Sequence, residues 1–64
     1  MTRIDAFKIA ARRVASTFET QAIVYHFNQT APADGYNVRD LVEAVDLGES
    51  DDVVELITLN RGKK

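Results

Sequence analysis

Cysteine is absent from the 64-residue chain, histidine and proline each occur once, and glycine occurs three times. Without cysteine there is no disulfide framework and no thiolate–metal site, which removes two of the usual staples of a small fold. A single imidazole leaves no metal-spaced His pair, and neither a phosphate-cradling Gly loop nor a Cys nucleophile is present. The longest uncharged stretch, residues 20–33, includes Gln, His, Asn and Thr, so it is not a bilayer span. The opening residues Met1-Thr2-Arg3-Ile4-Asp5 are charged early and lack an apolar h-region. No secretory signal is read there, and a cytoplasmic location is expected. Internal repeats and low-complexity tracts are also missing.

Hydrophobic residues make up 45% of the chain and charged residues 28%, too apolar a balance for intrinsic disorder. One domain over residues 1–60 is expected, with a disordered basic tail at 61–64. A domain of about 60 residues buries only roughly 60% of its unfolded surface, so self-association or partner binding is a natural source of extra stability.

Local patterns predict the elements. Thr2 and Asp5 have the spacing of a capping box, and no Pro or Gly occurs before residue 32. Ile4, Phe7, Ala11, Val14 and Phe18 recur at spacings of three and four, which predicts a helix over 3–18 with these residues facing the core. Ala6, Ala10 and Ala15 widen that face. The opposite arc holds Asp5, Lys8, Arg12, Arg13, Ser16 and Glu19, with Ile9 in its middle. Ile9 is either an ordinary isolated surface residue or, ringed by Arg12 and Arg13, part of a contact surface.

Residues 21–28 read as a strand rich in β-branched and aromatic side chains. It is apolar on both faces, with Ile23, Tyr25 and Phe27 on one and Ala22, Val24 and His26 on the other. Asn28, Pro32 and Asp34-Gly35 then mark a loop or long turn. Residues 36–47 fit either a helix ended by Gly48 or a strand. The compromise is a short strand over 35–39 followed by a short helix over 40–46. Val53 to Leu59 favours a strand, although Ser50-Asp51-Asp52 would also start a helix.

The expected fold is therefore α+β: an N-terminal amphipathic helix packed on a small antiparallel sheet. The strand face bearing Ala22 and Val24 would stay partly exposed unless it met a partner or another copy, which makes a homodimer a further expectation. The alternative is an all-α fold with a helix-turn-helix. The run Val38-Arg39-Asp40-Leu41-Val42-Glu43-Ala44-Val45, then Asp46-Leu47-Gly48-Glu49, then Ser50-Asp51-Asp52-Val53-Val54 resembles that DNA-binding motif, with a small residue at Ala44 and a turn glycine at Gly48. The resemblance implies that the second helix enters the major groove. Its first turn would present Asp51, Asp52 and Glu55 to phosphates, which repel them.

The net charge of −2 conceals segregation. Residues 1–33 carry +2, residues 34–60 carry −7 and the last four residues carry +3. The acidic half is either a solvated face or a docking surface for a basic partner, such as a cleft that normally holds nucleic acid. Asp46, Gly48, Ser50 and Asp52 alternate like early calcium ligands. The pattern then fails, with Asp51 where Gly is needed and Ile57 where the bidentate Glu is needed. His26 reads as a packed or edge residue, and Ser16 and Ser50 as helix-face and cap residues.

No catalytic, cofactor-binding or metal-binding residue is assigned, and an enzyme is not expected. The function read from the sequence is a small regulatory or interaction protein that binds a protein partner. Its candidate contact residues are Asp40, Glu43, Asp46, Glu49, Asp51 and Asp52, with Ile9, Arg12 and Arg13 as a second surface. Compact chains of this kind are common among accessory proteins of phages and mobile elements, which supplies an analogy. The alternative function is nucleic-acid binding, through the helix-turn-helix or through Lys8, Arg12 and Arg13 combined with Arg61, Lys63 and Lys64. A purely structural oligomerising module is the third class.

Overall fold

The first helix, α1, spans Arg3–Thr17 and starts as the capping box predicts: Thr2 Oγ1 accepts from the Asp5 amide at 3.2 Å. It stops at Phe18, whose backbone is left-handed (φ 63°) and whose N–H donates to the Val14 carbonyl. A left-handed L-residue costs roughly 1 kcal/mol, so Phe18 is a strained terminator. In this computed structural model, residues 1–59 are described, and the expected basic tail at 61–64 lies outside them.

Three strands follow: β1 (Gln21–Tyr25), β2 (Tyr36–Asp40) and β3 (Val53–Ile57). They form an antiparallel sheet in the order β2-β1-β3, so β1, the most buried strand, is central. Ile23 pairs with Val38 and Tyr25 with Tyr36 on one side; Gln21 pairs with Ile57 and Ile23 with Glu55 on the other. A bulge interrupts the β1–β3 ladder between Ile23 and Val24. The short helix α2 spans Leu41–Asp46, between β2 and β3.

The loop after β1 is built locally. Asn28 Oδ1 accepts from the amides of Thr30 and Ala31, an Asx-type turn. The Tyr25 hydroxyl donates to the Pro32 carbonyl at 2.9 Å, and the Tyr25 and Tyr36 rings pack with centroids 4.7 Å apart. The His26 amide donates to the Gly35 carbonyl, which brings the two segments too close for a side chain at position 35.

The two faces of the sheet have separate cores. Ile23 and Val38 pack under Ala6 and Ala10 of α1, with Ile9, Tyr36 and Ile57 at the edges. Ala22 and Val24 pack under Ala44 of α2, flanked by Leu41 and Val53. The expectation that Ala22 and Val24 would be exposed is therefore corrected: α2 covers them, and the argument for a dimer through that face is lost. Residues 36–40 and 53–57 are strands, so the all-α alternative and its helix-turn-helix are also corrected.

The face of α1 differs from the predicted one. Ala6, Ala10 and Val14 are buried, whereas Ile4, Phe7 and Phe18 are exposed. At 100° per residue the buried stripe is turned roughly 80° from the expected one. Small side chains at successive i, i+4 positions let the helix backbone sit close to the sheet, and the larger residues are displaced to a flank. Ile9, expected on the polar arc, is half-buried against the core.

The resulting core is thin. Among the described residues, four of the eight buried hydrophobic residues are alanine, while ten larger apolar side chains are exposed. That imbalance bears on function, because large apolar side chains left in water are the raw material of interfaces.

Candidate functional site

α2 and the turn after it gather most of the acidic candidates. α2 follows β2 directly: Asp40 is extended, and the next amide, Leu41 N–H, donates to the Thr20 carbonyl. The helix ends in a Schellman arrangement. Glu49 N–H donates to the Ala44 carbonyl at 2.8 Å and Gly48 N–H to the Val45 carbonyl at 3.0 Å. Gly48 takes the left-handed backbone (φ 72°) that this motif requires, as its position in the sequence predicts. A 3-10 turn, Ser50–Asp52, then leads into β3.

Glu43, Asp46 and Asp51 are exposed on this side, and Asp52 is half-buried. Asp40 is exposed too, but its Oδ1 accepts from the buried Gln21 amide at 2.6 Å. Glu49 is different. It is only 8% exposed, and its carboxylate accepts from Arg39 Nε at 3.1 Å while meeting His26 Nε2 at 2.8 Å. His26 Nδ1 also lies 3.8 Å from Asp52 Oδ2. Glu49 thus ties the turn after α2 to β2 and to the end of β1. It is an internal strut, and the acidic contact set shrinks accordingly.

The sequence reading missed the apolar partners of these acids. Residues Val38, Leu41, Val42 and Val45 form one stripe on paper. In the fold Leu41 and Ala44 turn to the sheet, while Val42, Val45 and Leu47 turn to solvent, Val42 being 71% exposed. Two of the three i, i+3 pairs of this short helix, Leu41–Ala44 and Val42–Val45, are apolar, so periodicity alone could not choose between them. The solvent side of α2 thus carries Val42 and Val45 beside Asp46 and Glu43, with Leu47 at its C-terminal cap and Asp51 in the turn that follows.

The basic candidates lie across the sheet. Arg12 and Arg13 are exposed on α1, with Lys8 on the same helix. Arg13 Nη1 reaches the Val38 carbonyl at the outer edge of β2. Because α1 and α2 cover opposite faces, the charge segregation along the chain becomes a separation across the sheet. Ile9 does not join Arg12 and Arg13 in a surface, since it packs inward.

Among the described residues no cavity is found, no set of three His, Asp or Glu side chains is arranged to hold a metal ion, and no helix is long and apolar enough to cross a membrane. No protein-family model, curated protein or solved structure matches the chain.

Proposed function

We propose that this protein is a non-catalytic interaction module that binds a protein partner through the α2 face and thereby modulates nucleic-acid machinery. The observation that carries the reading is the combination of Val42, Val45 and Leu47, each more than half exposed, with Glu43, Asp46 and Asp51 beside them. Apolar anchors within a charged rim are how interfaces divide their work. The desolvated centre supplies affinity, and the charges supply orientation and association rate. A complementary partner presents an apolar patch bordered by Lys and Arg, and basic surfaces of that kind are typical of proteins that hold nucleic acid.

The test is capture of a partner by the full chain, compared with an Asp46→Asn/Asp51→Asn variant and with Val42→Ser. Charge removal should slow association and flatten its salt dependence, whereas Val42→Ser should speed dissociation. Glu49 is left intact because its loss would disturb the fold. Equal retention of the partner by wild type and both variants would overturn the reading. So would a tight, salt-sensitive complex with DNA or RNA that is lost on replacing Arg12 and Arg13, since that would move the function to the α1 face.

A further inference from the structure

The two edges of the sheet are not equivalent. The outer edge of β2 is occupied: Tyr36 N–H donates to the Met1 carbonyl, the Met1 nitrogen donates to the Asp34 carbonyl, and Arg13 reaches the Val38 carbonyl. Among the described residues, Val53 N–H donates back to the Ser50 carbonyl at the start of β3, and no backbone group is bonded to the outer edge from Val54 to Ile57. Leu41 N–H bonds to the Thr20 carbonyl and His26 N–H to the Gly35 carbonyl, so the even-numbered residues of β1 face β2. The odd-numbered ones, Gln21 and Ile23, therefore face β3 and pair with Ile57 and Glu55. Leu56, between those two, turns both its N–H and its C=O away from the sheet, and its side chain is 52% exposed.

The exposed stripe of α1 flanks this edge on the other face of the sheet, since Leu56 pairs with Ala22 and so turns its side chain to the α2 face. Arg13 marks the β2 flank of the helix, and Arg3 marks the other, since Arg3 Nη2 reaches Glu55 of β3 at 3.2 Å. Phe7 and Ile4 follow Arg3 around the helix in the direction away from Arg13. Ile4 is 68% exposed and Phe18 65%. At roughly 200 Å² per large side chain, Ile4, Phe7 and Phe18 leave on the order of 350 Å² of apolar surface open on the α1 face of this edge and Leu56 about 100 Å² on the other, together more than half of the ~800 Å² each partner gives to a standard interface.

We propose that this edge takes a second copy of the same chain, β3 pairing antiparallel with β3 about a two-fold axis at Leu56, with the α1 stripes covering the joint. Charge selects the occupant. The two helix-covered faces carry excess charge of one sign, so a copy set face to face with its own kind is repelled. The only charge on β3 is Glu55, which Arg3 already answers. Pairing about Leu56 sets Glu55 opposite Ile57 of the second copy, so no like charges meet. A two-fold contact also closes, whereas basic-to-acidic stacking of faces would run on as an open chain.

The test uses the chain alone, so its outcome is separate from that of partner capture. Sedimentation equilibrium should show a mass that saturates at twice 7.1 kDa, with little change as salt rises. Leu56→Lys and Leu56→Glu should each raise the dimer dissociation constant at least about tenfold, because the new charge faces its own counterpart. An equimolar mixture of the two should restore dimers. Circular dichroism confirms that each variant is folded. In wild type, hydrogen exchange should find the Leu56 amide protected in concentrated solution and fast on dilution. A monomer at all concentrations, a salt-sensitive mass that keeps growing, a mixture that stays monomeric or an unprotected Leu56 amide would each overturn the proposal.

Discussion

His26 and Glu49 meet at 2.8 Å although they lie 23 positions apart, one just past the end of β1 and the other in the turn after α2. Arg39, from β2, reaches the other oxygen of the same carboxylate. The contact joins three elements at a nearly buried acid, and the expected consequences concern stability before they concern binding.

Glu49→Ala should destabilise the fold by about 2 kcal/mol, because it leaves the partly buried Arg39 guanidinium without its carboxylate. Urea denaturation measures this. Asp46→Asn and Asp51→Asn, at exposed positions, should stay within about 0.5 kcal/mol of wild type. Equal effects at Glu49 and Asp46 would refute the distinction drawn between strut and surface.

Ile9 and Ile4 should exchange the roles that periodicity suggests for them. Ile9→Ala should cost about 1–2 kcal/mol by removing packing against Ile23 and Val38. Ile4→Ala should change the stability of the dilute monomer by no more than about 0.5 kcal/mol. Thermal melts at low protein concentration keep self-association out of the comparison.

Ala10→Leu should cost roughly 1–3 kcal/mol, since Ala10 is fully buried where α1 meets the sheet. The near-ultraviolet dichroism of Tyr25 and Tyr36, whose rings pack at a tilt with Tyr36 against the same core, should change with it. An Ala10→Leu protein as stable as wild type would contradict the close approach of α1.

Gly48→Ala and Gly35→Ala should differ in kind. At Gly48 nothing lies within 4 Å of an added Cβ, so only the left-handed backbone is strained, at about 1 kcal/mol. At Gly35 the Cβ would collide with the His26 carbonyl oxygen, and relief requires the β1–β2 connection to move. Denaturant midpoints should fall modestly for the first variant, while the second should lose the cooperative transition.

Much of the architecture is legible in the residues because its signals are local. Thr2 and Asp5 cap α1, Asn28 and Pro32 shape the loop, Gly48 ends α2, and the β-branched run at 21–25 forms a strand. The interaction surfaces are less legible. The acids of α2 are plain in the sequence, but that Glu49 turns inward while Val42 and Val45 turn outward depends on contacts with His26, Arg39 and Ala22, all distant along the chain.

The sequence by itself determines α1 and its cap, the strand at 21–25, the positions of the turns and the segregation of charge, since capping, turn chemistry and side-chain branching act over a few residues. Residues 36–47 and 53–59 fit either strand or helix until the sheet pairs them. Tertiary structure alone decides the rotation of each helix about its axis. A 3.6-residue period permits both the Ile4–Phe7–Phe18 face and the Ala6–Ala10–Val14 face, and area burial favours the larger side chains. The short connection into β1 and the closer approach that alanine allows select the other face. That choice leaves Ile4, Phe7 and Phe18 beside the open edge at Leu56.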